Sequence, residues 1–351
     1  MPSVPSTSDK WIVSNPPRRA VEEDTFSLQK DLPIPELKDG ELLLQSLFFS
    51  NDPAQRTWMQ AGLKVERAYG PVVRKGDVMA SGSLGKVIKS RSSDFKEGTL
   101  VTSWGGGWSE YAIVPASEVV RVPEIPGKAP ELALGCLGMT GMTAWGGLFE
   151  VGKIHKDQVV VISGAAGATG SVAIQIAKNI VGCKRVIGIA GGPEKCAWVK
   201  KLGADECVDY KSPTFRKDLI AATPDFVDLY FDNVGGEILN LMFKRMARYS
   251  KIIACGAISG YNDPTTMNLN NYFEVTSMRI TIQGFIVFDF AKKYKEFSAK
   301  LAQAVIEGKI STEDSSTIVE APFRDVPKVW HTLYTGGNQG KLLTKIVPAK
   351  L

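Results

Sequence analysis

The sequence predicts an α/β protein in which a doubly wound parallel sheet is joined to a second, mainly β domain. Three observations predict it. From about Pro130 onward, apolar runs of strand length alternate with helical patterns. Residues 1–130 read instead as short β-rich runs punctuated by Gly and Pro. Finally, a stretch of small residues stands directly between one apolar strand and the helix that follows it.

Length and composition set the frame. A chain of 351 residues suggests two domains and permits a large buried core. Hydrophobic residues make up 44% and charged residues 23%, ordinary values for a globular protein. Lys+Arg 42 against Asp+Glu 37 gives a net charge of +5, spread without a long basic block, which argues against nucleic acid as partner. The mild excess suits an anionic cofactor. The five cysteines (Cys136, Cys183, Cys196, Cys207, Cys255) are scattered and never spaced CxxC, so reduced thiols are expected. No apolar h-region opens the chain and no uncharged apolar run reaches 18 residues, so no membrane partner is expected and the cytoplasm is the expected compartment. The terminal Ala349-Lys350-Leu351 differs by one small residue from the SKL signal and offers peroxisomal import as an alternative.

In the first domain, runs such as Glu41 to Leu47 and Gly98 to Thr102 are expected strands of a small twisted barrel. Beyond it come a strand at Val159 to Ile162, a helix from Ser171 to Ile180, a strand at Arg185 to Ile189, and a helix from Glu194 to Leu202 closed by Gly203. Strands at Cys207 to Asp209, Phe226 to Phe231, Lys251 to Ala254 and Arg279 to Ile282 continue the alternation, and residues 291–307 read as one amphipathic helix. Strand-like runs at Ile318 to Pro322 and Leu342 to Val347 return to the first domain. The expected domains are therefore 1–130 completed by 308–351, and 131–307.

The sharpest motif is Ser163-Gly164-Ala165-Ala166-Gly167-Ala168-Thr169-Gly170. Small residues let the turn bend, let backbone amides approach a pyrophosphate, and let helix pack on strand, while the helix N-terminus supplies partial positive charge. In an NAD-binding site an acid about 20 positions on, at the end of the second strand, would hold the ribose 2′-hydroxyl. Here that stretch reads Ile189-Ala190-Gly191-Gly192-Pro193-Glu194-Lys195, with Glu194 falling in the first helical turn. Lys195 is placed to pair with a 2′-phosphate, so NADP(H) is the expected cofactor; on spacing alone an ordinary solvated helix lysine fits that residue equally well.

Several further segments accompany this cradle in order: Gly138-Met139-Thr140-Gly141-Met142-Thr143-Ala144, Tyr230-Phe231-Asp232-Asn233-Val234-Gly235-Gly236, Cys255-Gly256-Ala257-Ile258-Ser259-Gly260-Tyr261-Asn262, Gln283-Gly284-Phe285-Ile286-Val287 and Gly337-Asn338-Gln339-Gly340-Lys341. With them the chain resembles, over nearly its whole length, the zinc-independent medium-chain dehydrogenase/reductases. The nearest branch is that of prostaglandin reductases (leukotriene B4 12-hydroxydehydrogenases) and alkenal double-bond reductases. The resemblance implies a Rossmann domain plus a GroES-like, mainly β catalytic domain. It implies that Lys195 and Tyr210 bind the 2′-phosphate, with Gly192 in the same turn, and that Asn233 and Gly256, Ala257, Ile258 and Ser259 lie along the adenosine and ribose. Phe285, Ile286, Val287, Asn338 and Gly340 would meet the nicotinamide half and diphosphate, with Thr140 and Thr143 near the nicotinamide. Tyr261 matches the tyrosine near the substrate carbonyl, and Asn51, Arg56, Tyr69 and Phe288 join it as substrate-binding candidates. Read without the resemblance, Tyr261 is a turn tyrosine packing over a crevice.

Two departures stand out. Asp52-Pro53-Ala54-Gln55-Arg56 lacks the aromatic that the family often carries where Ala54 stands, which reshapes the substrate pocket. The family's serine ahead of the phosphate-binding lysine is also missing, with Gly192 and Pro193 in that neighbourhood. No metal site is expected: there are 2 histidines, His155 and His331, and no Gly-His-Glu motif. The implied chemistry is metal-free conjugate reduction of an α,β-unsaturated ketone or aldehyde, with Tyr261 as the catalytic donor. Trp58, Met59, Tyr69 and Phe288 are candidate apolar lining for a medium-sized hydrophobic substrate, and core packing explains such residues equally well. Quinone reduction and non-catalytic nucleotide binding are the alternatives. Arg279 to Phe290 reads as an exposed sheet edge, from which a homodimer is expected.

Overall fold

The computed structural model describes residues 4–348, so the Ala349-Lys350-Leu351 tripeptide lies outside the described residues. The chain divides into two compact units, one running to Leu134 and resuming at Thr317, the other spanning Gly135–Ser316. These limits differ from the expected 130 and 308. Leu134 packs with Leu84, Val122 and Leu343, which keeps residues 131–134 in the first unit. Residues 308–316 go with the second, tied there by Ser311 N donating to Gln175 Oε1 (2.7 Å) and Asn179 Nδ2 to the Lys309 carbonyl (3.0 Å).

The first unit contains β1 (Thr7–Val13), β2 (Phe26–Pro33), β3 (Glu41–Ser50), the short α1 (Gln55–Trp58), β4 (Ser83–Ser90), β5 (Leu100–Ser103), β6 (Tyr111–Pro115) and β7 (Val119–Arg121). The second contains α2 (Met139–Trp145), β8 (Val159–Ser163), α3 (Ala168–Gln175), β9 (Arg185–Ala190), α4 (Pro193–Lys201), β10 (Glu206–Asp209), α5 (Phe215–Ala222), β11 (Val227–Asp232), α6 (Gly236–Phe243), β12 (Met246–Ala254), α7 (Phe273–Ser277), β13 (Thr281–Gly284) and α8 (Tyr294–Ile306). The chain then returns through β14 (Ser316–Ala321), α9 (Val326–His331) and β15 (Lys341–Ile346).

In the first unit β1 and β2 form an antiparallel pair, and a larger sheet runs β14-β15-β3-β4-β5-β7 with β6 also on β3. The long β3 serves as the spine because Leu42, Leu43, Leu44 and Phe49 are buried along it. Phe49, Met59, Trp108, Val326 and Trp330 share one core. There Phe26 and Trp108 lie 5.1 Å apart and Trp108 and Trp330 6.1 Å apart, tilted and edge-on as aromatic quadrupoles prefer. This mainly β unit is the GroES-like domain.

The second unit is the Rossmann domain. Its sheet runs β10-β9-β8-β11-β12-β13 with neighbouring strands parallel throughout. β8, central in this order, is buried at all its positions, as a strand covered on both faces must be. Two expected elements of this unit begin two or three residues later than the sequence suggests. The helix expected over 291–307 becomes regular only at Tyr294, because Val287–Lys293 is wound as a tighter 3₁₀ turn pinned by Ile286 N donating to Asp289 Oδ2 (3.0 Å). The last strand opens at Thr281 because Arg279 sits at φ 53°, where an extended strand cannot run. No helix among the described residues is long and apolar enough to cross a membrane.

Candidate functional site

At the carboxyl end of β8 the chain turns at Gly164 (φ 58°), Gly167 N donates back to the Gly164 carbonyl (2.9 Å), and α3 begins at Ala168. A Cβ on Gly170 would lie 2.2 Å from the Gly164 carbonyl oxygen and 2.8 Å from Ala165 Cα, so only glycine lets helix and turn approach this closely. The opening amides of α3 have no carbonyl one turn back and remain available to an anion.

Beside the cradle stands a feature that the sequence reading missed as a functional element. Asp232, at the end of β11, is only 2% exposed. Its Oδ1 accepts from Tyr230 Oη (2.8 Å), Ser163 Oγ (3.0 Å), Val234 N (3.0 Å) and Gly235 N (3.0 Å). Burial nevertheless outweighs these bonds and raises its pKa above the ordinary carboxylate value. Asn233 N donates to Ser163 Oγ (2.9 Å) and Asn233 Nδ2 to the Ser163 carbonyl (2.7 Å), joining the end of β11 to the end of β8. The signal was in the sequence: an acid directly after the apolar run Leu229-Tyr230-Phe231 and directly before the turn.

The Asp232 carbonyl accepts from Cys255 N (2.9 Å) and Gly256 N (3.0 Å), and Ser259 Oγ donates to the Val234 carbonyl (2.7 Å). The expected group of Asn233 and residues 256–259 is thereby brought together. Tyr261 joins them, its hydroxyl oxygen accepting from Ala257 N at 3.2 Å. Cys255 is half-buried; burial, and then the charge of Asp232, push its thiol pKa up.

Tyr210 lies beyond β10, exposed, its ring against Gly191. Lys195 is half-buried in the first turn of α4; burial, and then the charge of Lys211, lower its pKa. Gly192 takes φ 97° as the residue before α4. Thr140 and Thr143 are half-buried on α2 and donate to the Gly135 (2.9 Å) and Met139 (2.8 Å) carbonyls. Phe285 is half-buried, its ring 6.4 Å from Phe231 and 5.9 Å from Phe290; Ile286 and Val287 follow it, and Phe288 is exposed.

The first-unit candidates divide. Tyr69 is exposed and hydrogen-bonds Thr57 Oγ1 (2.8 Å). Asn338 Nδ2 donates to the Gly340 carbonyl (3.0 Å), shaping its own turn. Asn51 is buried, with Nδ2 on Thr344 Oγ1 (3.0 Å). Arg56 is 0% exposed and its guanidinium donates to the Arg19 carbonyl (2.9 Å from Nε) and the Pro17 carbonyl (3.4 Å from Nη2), which makes it a tie within the scaffold rather than an open ligand. Trp58 (3%) and Met59 (0%) are buried in the aromatic core, the packing alternative for these two residues. Both histidines are exposed, and among the described residues no group of three or more His, Cys, Asp or Glu could hold a metal ion.

Comparison with known proteins gives a consistent picture. Residues 9–122 match the family described as N-terminal domain of oxidoreductase, and residues 168–304 the one described as zinc-binding dehydrogenase. Prostaglandin reductase 1 of Bos taurus is 35% identical over 90% of this chain and 92% of its own. The NADPH-dependent curcumin reductase of Escherichia coli is 31% identical over 96% of both chains. The crystal structure of CurA in complex with NADPH from Vibrio vulnificus superposes with a TM-score of 0.85 at 32% identity, covering 97% of this chain and 99% of that one. With this agreement in sequence, fold and motif order, the chain belongs to the zinc-independent medium-chain dehydrogenase/reductase superfamily, in its prostaglandin reductase branch.

Proposed function

We propose that this protein is an NADP(H)-dependent oxidoreductase that reduces the C=C bond of α,β-unsaturated ketones and aldehydes. The observation that carries the reading is the convergence of the α3 cradle, the Asn233 turn and the Tyr261 hydroxyl at the carboxyl ends of β8, β11 and β12. The names of the prostaglandin and curcumin reductases support the same chemistry, and the NADPH-bound neighbour supports the cofactor.

The residues fit a phosphorylated dinucleotide. A Cβ would fill the cradle at Gly170, the α3 amides suit a diphosphate, and Lys195 with Tyr210 suits a 2′-phosphate. Asn233 and residues 256–259 would lie along the adenosine and ribose, and Thr140, Thr143 and Phe285 to Val287 toward the nicotinamide half. When bound, NADPH supplies the hydride that reaches the substrate's β-carbon. The chain supplies position and charge stabilisation. Tyr261, whose hydroxyl oxygen accepts from Ala257 N, is the group assigned to donate to the substrate oxygen as enolate charge develops. Accepting that amide bond also polarises the O–H. The conjugated alkene carries its own electron sink, so a single neutral donor is enough. The α-carbon then takes its proton from solvent or from Tyr261.

NADPH consumption measured across enals, enones and quinones, with NADH alongside, tests this. Turnover of enals and enones with preference for NADPH is expected. Turnover of quinones alone would replace the reading with quinone reduction, and tight NADPH binding without oxidation by any acceptor would replace it with non-catalytic nucleotide binding. The protein is also proposed to pair with a second copy through β13, a sheet edge exposed at all its positions; a monomer by light scattering at micromolar concentration refutes that.

A further inference from the structure

The second strand of a dinucleotide-binding sheet ordinarily ends in an acid that holds ribose hydroxyls. Here β9 ends at Ala190 and runs into Gly191 and Gly192. An acid stands at the same level one strand further out: Asp209, at the end of β10, is in register with Ala190. Its Oδ1 accepts from Gly192 N at 2.7 Å and from Lys211 N at 2.8 Å. The same carboxylate oxygen therefore ties the turn after β9 to the turn after β10.

We propose that Asp209 is a positioning residue for cofactor choice, holding Tyr210 and Lys211 beside Lys195 so that the corner accepts a 2′-phosphate. The inference rests on the NADP(H) reading above. Tyr210 directly precedes Lys211, and its ring approaches so closely that a Cβ on Gly191 would meet its atoms at 2.7, 2.8 and 2.9 Å. The φ of 97° at Gly192 belongs to the same turn, just before Pro193 opens α4. Loss of the tie would free both turns and, with them, the separation of Lys195 from Lys211. Keeping two ammonium groups near one another costs free energy that an anion between them recovers, and the lowered Lys195 pKa, from burial and from Lys211, fits that cost. The charge of Asp209 itself is met by two backbone donors. What the tie needs is an acceptor oxygen, so asparagine should replace aspartate and alanine should not.

Calorimetry of the full chain with adenosine 2′,5′-bisphosphate and with 5′-AMP, which differ only by the 2′-phosphate, reads the effect without turnover. The wild type should bind the bisphosphate at least about tenfold more tightly. Asp209→Ala should weaken the bisphosphate by about tenfold and leave 5′-AMP within about twofold, with Asp209→Asn near wild type. Lys211→Met should weaken the bisphosphate alone and flatten its salt dependence. Equal loss of both ligands in Asp209→Ala would mark a merely structural residue and overturn the inference. So would a selective loss of 5′-AMP, which would make Asp209 a ribose ligand, or an asparagine variant as weak as alanine. A wild type indifferent to the 2′-phosphate would overturn the NADP(H) reading first, and the inference with it.

Discussion

Asp232→Ala is the substitution that most directly tests the frame around the cradle. One carboxylate oxygen accepts from two side-chain hydroxyls, those of Tyr230 and Ser163, and from two amides, those of Val234 and Gly235. Removing it leaves four buried or half-buried donors without that partner, and at about 1 kcal/mol per net hydrogen bond the loss comes to about 4 kcal/mol. Asp232→Asn keeps an oxygen in the same place and removes a charge that burial disfavours, so its cost should stay near 1 kcal/mol. The pH dependence separates the two effects. The folded-state pKa is raised, so the folded protein binds the proton more tightly than the unfolded chain does. The stability this contributes is full below the unfolded value and is lost as pH rises through the folded one. The asparagine variant should therefore show a flatter dependence of Tm on pH over that interval. Thermal and denaturant unfolding of both variants, with NADPH affinity by calorimetry, give the measurements. An alanine variant destabilised by less than about 1 kcal/mol, or an asparagine variant equally damaged, would refute the hub.

Three further outcomes are expected. Gly170→Ala places a methyl against backbone atoms at 2.2 and 2.8 Å, which cannot swing aside; overpacking of about 1–3 kcal/mol should appear as lower Tm and NADPH affinity weakened at least about tenfold. Tyr261→Phe should lower kcat by about tenfold to a hundredfold while NADPH affinity by calorimetry stays near wild type, and unchanged turnover would remove the hydroxyl from the mechanism. Lys341→Met deletes an ammonium 2.5 Å from Asp52 and 3.1 Å from the Asn51 carbonyl. With lysine and aspartate side chains only 2% and 9% exposed, this should destabilise the fold by about 3–5 kcal/mol in denaturant unfolding.

Periodicity made the Rossmann half legible, because parallel strands buried on both faces leave uninterrupted apolar runs such as Val159 to Ile162. The cradle was legible for a related reason: its small residues answer to backbone approach, a local requirement visible in the chain itself. What escaped or stayed open were features set by distant pairing. Trp58 and Met59 lie near the candidate substrate residues in sequence, yet they complete a core with Trp108 and Trp330. Arg56 reads as a polar ligand in a motif, but the carbonyls that consume it belong to residues 17 and 19, reached only through the fold. The start of α8 was misplaced because Asp289 caps the turn at Ile286, and an apolar stripe carries no record of that bond.

Two acids at the candidate site share one physical logic. Asp209 and Asp232 each stand at the carboxyl end of a parallel strand, where a dinucleotide's phosphates would make a bare carboxylate unfavourable. Each carboxylate is instead turned onto backbone amides, those of Gly192 and Lys211 for one and of Val234 and Gly235 for the other. Acids here serve as fasteners for glycine-bearing turns whose freedom would otherwise have to be frozen on binding. The groups proposed to meet an anion are then the α3 amides and the lysines at 195 and 211, presented by turns that these fasteners hold.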